Sequence, residues 1–193
     1  MDFLMGLKGK DFVMVCSDTS AIAQIINIKH DEDKIVPVDS HKVMALSGEA
    51  GDRVQFSEYI IANIRLYLLR NGTGLSTKAV ANFTRGELAT ALRKSPYATN
   101  LLLAGYDKGA GASLYWMDHL ATLLKTNYAG TGYGADFVLS YFDQHWKKDI
   151  SEEDALKLMI AGVEEVKARL VIAPSNYVIK VVDKDGTRVV KTL

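Results

Sequence analysis

Two neighbouring residues near the start of the chain carry nucleophilic side chains. Cys16 has a thiol and Ser17 a hydroxyl, and both follow the apolar run 12–15. At a chain terminus either group can attack a carbonyl carbon, with its own α-amino group (pKa about 7.7 to 8.0) as the base. This chemistry requires removal of residues 1–15 and of two predicted strands. The lost apolar burial, at about 25 cal/mol per Å², disfavours a self-processed hydrolase using Cys16 or Ser17, which remains the alternative hypothesis.

The first part of the chain also contains two charged residues and a glycine that we single out, namely Asp18, Lys34 and Gly48. Asp18 directly follows the second predicted strand, and Lys34 opens a later one. On residue type alone we expect an ion pair that joins two strands, and a glycine kept for its backbone geometry.

Other candidate sites are weaker. The four histidines lie on different predicted elements, without an i, i+4 pair or a cysteine partner, so we expect no metal site. The acidic turn 31–33 lacks the ligand spacing of a calcium loop and is predicted to be a solvated loop. The glycine-rich run 130–134 lacks the Lys-Ser/Thr ending of a phosphate loop and is interpreted as a turn before a helix. We therefore expect no cofactor.

Composition excludes several classes of partner. The 193 residues include 23 Lys and Arg and 23 Asp and Glu, so the chain lacks the excess positive charge typical of proteins that bind nucleic acid or anionic membranes. Residues 1–11 lack the pattern of a signal peptide or membrane span, and the single cysteine fits a reducing compartment. Because Asp2 has a large side chain, we expect Met1 to be retained and, where it is modified, N-acetylated.

Hydrophobic periodicity divides the chain into alternating groups of strands and helices. Alternation and turn signals predict strands at 3–8, 12–17, 25–29, 35–38, 43–47, 101–104, 113–117, 123–127, 178–182 and 189–190. The first helix is predicted to be entered by Asp52 and closed by Asn71-Gly72, with a stripe of Phe56, Ile60, Ile64, Tyr67 and Leu68. Further helices are predicted from Ser76 to about residue 95, and over 135–146 and 151–171.

This order predicts one α+β domain over residues 1–193, a four-layer α-β-β-α sandwich. Two packed, mainly antiparallel sheets, each covered by a helix pair, would bury every predicted apolar stripe.

Several short segments resemble a known family in order and spacing. They are Ser17-Asp18, Lys34, Leu46-Ser47-Gly48 followed by Gly51-Asp52, and the run 101–107. Together they resemble proteasome beta subunits. The runs 48–56, 82–85 and 132–135 look specifically like the eukaryotic beta type-2 branch of that family, at the fourth beta-ring position. The resemblance implies the N-terminal-nucleophile hydrolase fold.

The resemblance also implies where a catalytic site would lie and which parts of it are missing. Active members use an N-terminal threonine, and its position corresponds here to Asp2, which has no hydroxyl. Asp18, Lys34 and Gly48 match the family's aspartate, lysine and oxyanion-binding glycine. Tyr133 replaces a serine, Leu170 replaces the aspartate after Arg169, and Ala173 replaces another serine. We therefore expect no catalytic residues and no enzyme activity.

The implied function is structural. The resemblance implies a non-catalytic subunit of the beta ring of the 20S core particle, which degrades ubiquitinated and other proteins through neighbouring threonine-protease subunits. The expected partners are beta subunits of the same and the opposite ring and alpha-ring subunits. The expected location is the cytoplasm and nucleus.

Overall fold

Two antiparallel sheets of five strands each form the centre of the structure. The computed structural model describes residues 2–23 and 26–193. The strands are β1 (Leu4–Lys8), β2 (Val13–Asp18), β3 (Ala21–Ala23), β4 (Ile26–Lys29), β5 (Ile35–Asp39), β6 (Lys42–Gly48), β7 (Thr99–Asp107), β8 (Gly111–Met117), β9 (Leu123–Thr126), β10 (Tyr128–Thr131), β11 (Tyr177–Asp183) and β12 (Gly186–Thr192). The helices are α1 (Ala50–Asn71), α2 (Thr77–Ala91), α3 (Ala135–His145) and α4 (Glu152–Arg169).

The first sheet has the strand order β10-β1-β2-β11-β12, and the second has the order β5-β6-β7-β8-β9. β2 is the central strand of the first sheet and pairs with β1 on one side and β11 on the other. β3 and β4 form a separate two-stranded hairpin, on which Ile26 and Ile28 are exposed.

Three layers of apolar packing hold the fold together, because both sheets bury side chains on each face. The middle layer joins the two sheets and includes Leu4, Val15 and Leu102. The first sheet packs against α3 and α4 through residues such as Met5 and Met159. The second sheet packs in the same way against α1 and α2. This arrangement confirms the predicted four-layer α-β-β-α sandwich.

The first helix differs from its prediction at its start and along its exposed side. It begins at Ala50 after Glu49, and the Asp52 carboxylate accepts the Ala98 N–H at 2.8 Å. Asp52 is thus a tertiary contact and not the residue that enters the helix. Phe56, Ile60 and Ile64 are buried as predicted, whereas Tyr67 and Leu68 are exposed near the helix end. The predicted end at Asn71-Gly72 is confirmed.

Two further strands were not predicted, and one prediction lies partly outside the described residues. β3 is absent from the predicted set, and β10 forms where we expected the start of a glycine-rich turn. Gly130 pairs with Met5, so only the later part of that run turns toward α3. The predicted strand 25–29 is confirmed over Ile26–Lys29, while Ile25 lies outside the described residues. Within 2–23 and 26–193, no helix is long and apolar enough to cross a membrane.

Candidate functional site

Lys34 is the centre of the candidate site. It lies directly before β5, and its side chain has no exposed surface. Its ammonium group donates to Asp2 Oδ1 at 2.6 Å, to Asp18 Oδ2 at 2.8 Å and to the Ser20 carbonyl at 2.8 Å. An ammonium group has three N–H donors, so all three are used. This confirms the expected Asp18–Lys34 ion pair and adds a second carboxylate to it.

Asp18 is fully buried at the end of β2. Its Oδ1 accepts the Phe3 N–H at 2.8 Å, and its Oδ2 accepts the Ser20 N–H at 3.1 Å as well as the Lys34 ammonium. Burial raises the pKa of Asp18 above its usual value, and this effect outweighs the lowering by Lys34 and by the Phe3 N–H. Asp18 therefore links Phe3, before β1, to Ser20, after β2, and it also orients the Lys34 ammonium group.

Asp2 occupies the position that the family resemblance assigns to a nucleophile. One of its oxygens accepts from Lys34, and the other accepts the Gly48 N–H at 3.0 Å and lies 3.3 Å from Arg53 Nε. Burial would raise the pKa of Asp2, but the hydrogen bond and charge of Lys34, the charge of Arg53 and the Gly48 N–H together lower it. The site therefore holds an ionised carboxylate.

Gly48 directs its N–H toward Asp2 because its backbone has an unusual conformation. Its φ angle is +123°, which residues with a Cβ rarely adopt, and a Cβ atom here would lie 2.0 Å from the Ala98 carbonyl oxygen. The expectation that this glycine is needed for backbone geometry is therefore supported. The same geometry makes its N–H available to an oxygen atom in the cleft.

Arg53 and Glu32 complete the cluster, and neither was predicted from the sequence to belong to it. Arg53 lies in the first turns of α1 with 8% of its side chain exposed, and its Nη2 donates to Glu32 Oε1 at 2.7 Å. Glu32 belongs to the acidic turn that we predicted to be a solvated loop. No sequence signal distinguishes this pair from ordinary surface charges, because its partners are 21 residues apart along the chain.

A cleft of about 690 Å³ opens above this cluster. Its lining comes from the β3–β4 hairpin, the end of β6, the start of α1 and the turn before α3: Asp2, Ala21, Ile22, Ile28, Glu32, Ser47, Gly48, Glu49, Ala50, Arg53, Ala98, Asn100, Thr131, Gly132 and Tyr133. The two carboxylate oxygens of Asp2 accept hydrogen bonds from Lys34 and from the Gly48 N–H at the floor of the cleft. The lysine and the backbone N–H that could assist an attacking oxygen are thus already bound to Asp2.

The other positions at which the sequence departs from the active family lie in different surroundings. Tyr133 is 72% exposed on the rim of the cleft. Leu170 follows the end of α4 and packs against the apolar cluster between the first sheet and helices α3 and α4. Ala173 is half-buried in the segment after it. Neither Leu170 nor Ala173 is among the described residues that line the cleft. Arg169 instead contacts Glu165 on its own helix, with 3.4 Å between Nε and Oε2.

Cys16 and Ser17, the nucleophiles of the alternative hypothesis, are fully buried in the central strand β2. Both residues pair with β1 on one side and β11 on the other. Burial raises the pKa of the Cys16 thiol well above its usual value, so the reactive thiolate is disfavoured. Exposing either group would require the loss of β1 and of at least half of β2.

Among the described residues, the four histidines give no candidate metal site. In the part of the chain that the structure describes, no group of three or more His, Cys, Asp or Glu side chains is arranged to hold a metal ion. Met1, the predicted modification site, lies outside the described residues.

Comparison with known proteins identifies the family. The model of the proteasome subunit family matches residues 3–182. The chain is 56% identical over 188 residues to the proteasome subunit beta type-2-B of Arabidopsis thaliana, covering 97% of this chain and 94% of that protein. It is 46% identical to the beta type-2 subunit of Dictyostelium discoideum (98% and 96% covered) and 38% identical to the beta type-4 subunit of Saccharomyces cerevisiae (97% and 96% covered). The chain is therefore a member of the proteasome subunit family.

Proposed function

We propose that this chain is a non-catalytic subunit of the beta ring of the 20S proteasome core particle. In this role it contributes to assembly and structure, while neighbouring threonine-protease subunits cleave the protein substrates. Its partners would be beta subunits of the same and the opposite ring and subunits of the alpha ring. Support comes from the relatives, which are named proteasome beta subunits and match over nearly their whole length.

One observation supports the absence of catalysis more than any other. The Asp2 carboxylate bridges Lys34 and the Gly48 N–H. A carboxylate lacks the hydroxyl proton and the nucleophilic alkoxide that peptide attack in this family requires, and here it also engages the groups that would assist such an attack. The buried positions of Cys16 and Ser17 argue in the same direction against the alternative nucleophiles.

Chemical labelling of the native assembly tests this proposal. Core particles that contain this chain are treated with a peptide electrophile that reacts with terminal threonines, and the intact mass of every chain is measured. We expect adducts on neighbouring subunits and none on this chain, which should keep its first fifteen residues. An adduct on this chain, or a mass corresponding to a start at Cys16 or Ser17, would establish catalysis and refute the proposal.

A matched variant tests the same point by kinetics. We expect core particles carrying Asp2→Asn in this chain to retain each peptidase activity per assembled particle, because the substitution alters no nucleophile. Loss of one activity in correctly assembled particles would contradict a purely structural role.

The proposal includes a location in the cytoplasm and nucleus. The free thiol of Cys16 is consistent with a reducing compartment. A fluorescent protein fused to the C-terminus should appear in both compartments, and a signal confined to a membrane-bound organelle would contradict this part of the proposal.

A further inference from the structure

The floor of the cleft contains a set of donors that converge on two oxygen atoms. Lys34 Nζ donates to Asp2 Oδ1 and the Gly48 N–H donates to Asp2 Oδ2, while the Arg53 guanidinium forms an ion pair with Oδ2 at 3.3 Å without a hydrogen bond. These three groups come from the segment before β5, the end of β6 and the start of α1. We infer that the floor of the cleft is a carboxylate-binding site, which the chain fills with its own Asp2 side chain.

The donors are held in place by contacts that do not involve Asp2. Lys34 is bonded to Asp18 and to the Ser20 carbonyl, and Arg53 is bonded to Glu32. The direction of the Gly48 N–H is set by its φ angle of +123°. The site would therefore persist if the Asp2 carboxylate were absent, and a free anion could bind without reorganising it.

The arrangement favours a carboxylate over a halide. The two oxygens of a planar carboxylate can be reached from two sides at once, whereas a halide has a single centre. Two cations, Lys34 and Arg53, are balanced by Asp18 and Glu32, so directed donors and not an excess of positive charge must provide the affinity. For a ligand as small as formate we expect a Kd of about 1 mM or weaker.

This site has a consequence for the assembly, and the consequence rests on the proposed function. Each cleavage by a neighbouring protease produces a peptide with a new terminal carboxylate. An unfilled site at the base of a 690 Å³ cleft would offer those products a place to bind. Asp2 acts as an internal ligand that keeps the cleft closed to them.

Replacement of the internal ligand by a free one tests the inference. In the full-length Asp2→Ala chain, prepared so that its intact mass shows Met1 retained as in the wild type, the carboxylate is removed and the space for formate is left. We expect 100 mM sodium formate to raise the Tm of this variant by about 3 °C or more. This shift follows from the stabilisation of the folded chain by a ligand that binds with a Kd near 10 mM. Sodium chloride at equal concentration corrects for ionic strength.

Three comparisons make the result decisive. Formamide, the neutral analogue of formate, should have no comparable effect on Asp2→Ala. The wild-type chain and the isosteric Asp2→Asn chain should not respond to formate, because their own side chains fill the site. If Asp2→Ala folds poorly without formate, its refolding yield in formate against formamide gives the same readout. Equal responses to formate and formamide, or equal formate responses in all three chains, would overturn the inference without bearing on ring membership.

Discussion

The side chains of Lys34 and Asp18 form an ion pair at 2.8 Å in which neither has any exposed surface. Asp2 adds a second carboxylate to the same ammonium group, so one buried cation serves two anions. Removing a single partner from such a group leaves buried charge without compensation, which costs more than the intact pair contributes.

Replacing the central cation should therefore be strongly destabilising. We expect Lys34→Met to lower the free energy of unfolding by about 3–5 kcal/mol, because Asp2 and Asp18 would lose their shared partner. Urea denaturation of the full-length chain measures the change. As a matched control, Lys157→Met removes an exposed lysine that pairs with Glu153 on α4, and it should change stability by about 0.5 kcal/mol or less. Equal losses in the two variants would contradict the proposed importance of the buried cluster.

Acidification should weaken the Asp2 contacts. The pKa of Asp2 is lowered in the folded chain, so its contribution to stability is present above its unfolded pKa of about 3.9 and is lost as the pH falls through the folded pKa. We expect the stability difference between wild type and Asp2→Asn to be largest near pH 7 and to shrink below about pH 4. Denaturation curves across this range provide the measurement.

The Asp18→Asn variant gives a comparison of opposite sign. Because the folded pKa of Asp18 is raised, the folded chain binds more protons than the unfolded chain between the unfolded pKa of about 3.9 and the higher folded pKa, and wild type should lose stability relative to Asp18→Asn as the pH rises through this window. Parallel pH profiles for the two variants would show that the two carboxylates are not in the environments described.

A methyl group at Gly48 should not be accommodated. Its Cβ would lie 2.0 Å from the Ala98 carbonyl oxygen at a φ of +123°. We expect Gly48→Ala to cost about 3 kcal/mol or more. Gly51→Ala is the control, since a Cβ there meets nothing within 4 Å and the residue lies in the first turn of α1. That change should be neutral or stabilising by up to about 1 kcal/mol, and a similar loss at both positions would exclude the steric explanation.

Trp146 connects the end of α3 to the first strand. Its indole N–H donates to the Lys8 carbonyl at 2.9 Å, and its ring packs near Tyr128. We expect Trp146→Phe to reduce the free energy of unfolding by about 1–3 kcal/mol, from the lost hydrogen bond and reduced packing. The control is Tyr59→Phe, which removes an exposed contact to Glu87 and should change stability by less than about 0.5 kcal/mol. A neutral Trp146→Phe would show that this contact does not support the helix.

The architecture could be predicted because its apolar periodicity is local. Strands such as β2 and β6, and the buried stripe of α1, were evident from neighbouring residues. β10 was missed because its glycines are typical of turns, and only its pairing with β1 makes it a strand. The start of α1 was misplaced because Asp52 has the residue type of a cap but contacts Ala98, 46 residues away.

The site was predictable only in part, for a related reason. Asp2, Asp18, Lys34 and Gly48 were identified, and the structure brings them together. Asp2 Oδ2 also lies beside Arg53, which in the sequence resembles an ordinary charged residue at the start of a helix. Its burial results from tertiary packing around Glu32, and no local pattern encodes it.

The strand orders of the two sheets imply an order of folding during synthesis. All five strands of the second sheet are consecutive, and its helices α1 and α2 lie between β6 and β7, so every strand pairing of this half is made within residues 35–126. The first sheet needs β11 beside β2, and this pairing joins Asp18 to Tyr177. Contacts so distant in sequence form late because a long loop must be closed. On the ribosome, β1 and β2 therefore remain unpaired with β11 until nearly the whole chain has emerged, and during that interval their apolar faces are available to chaperones.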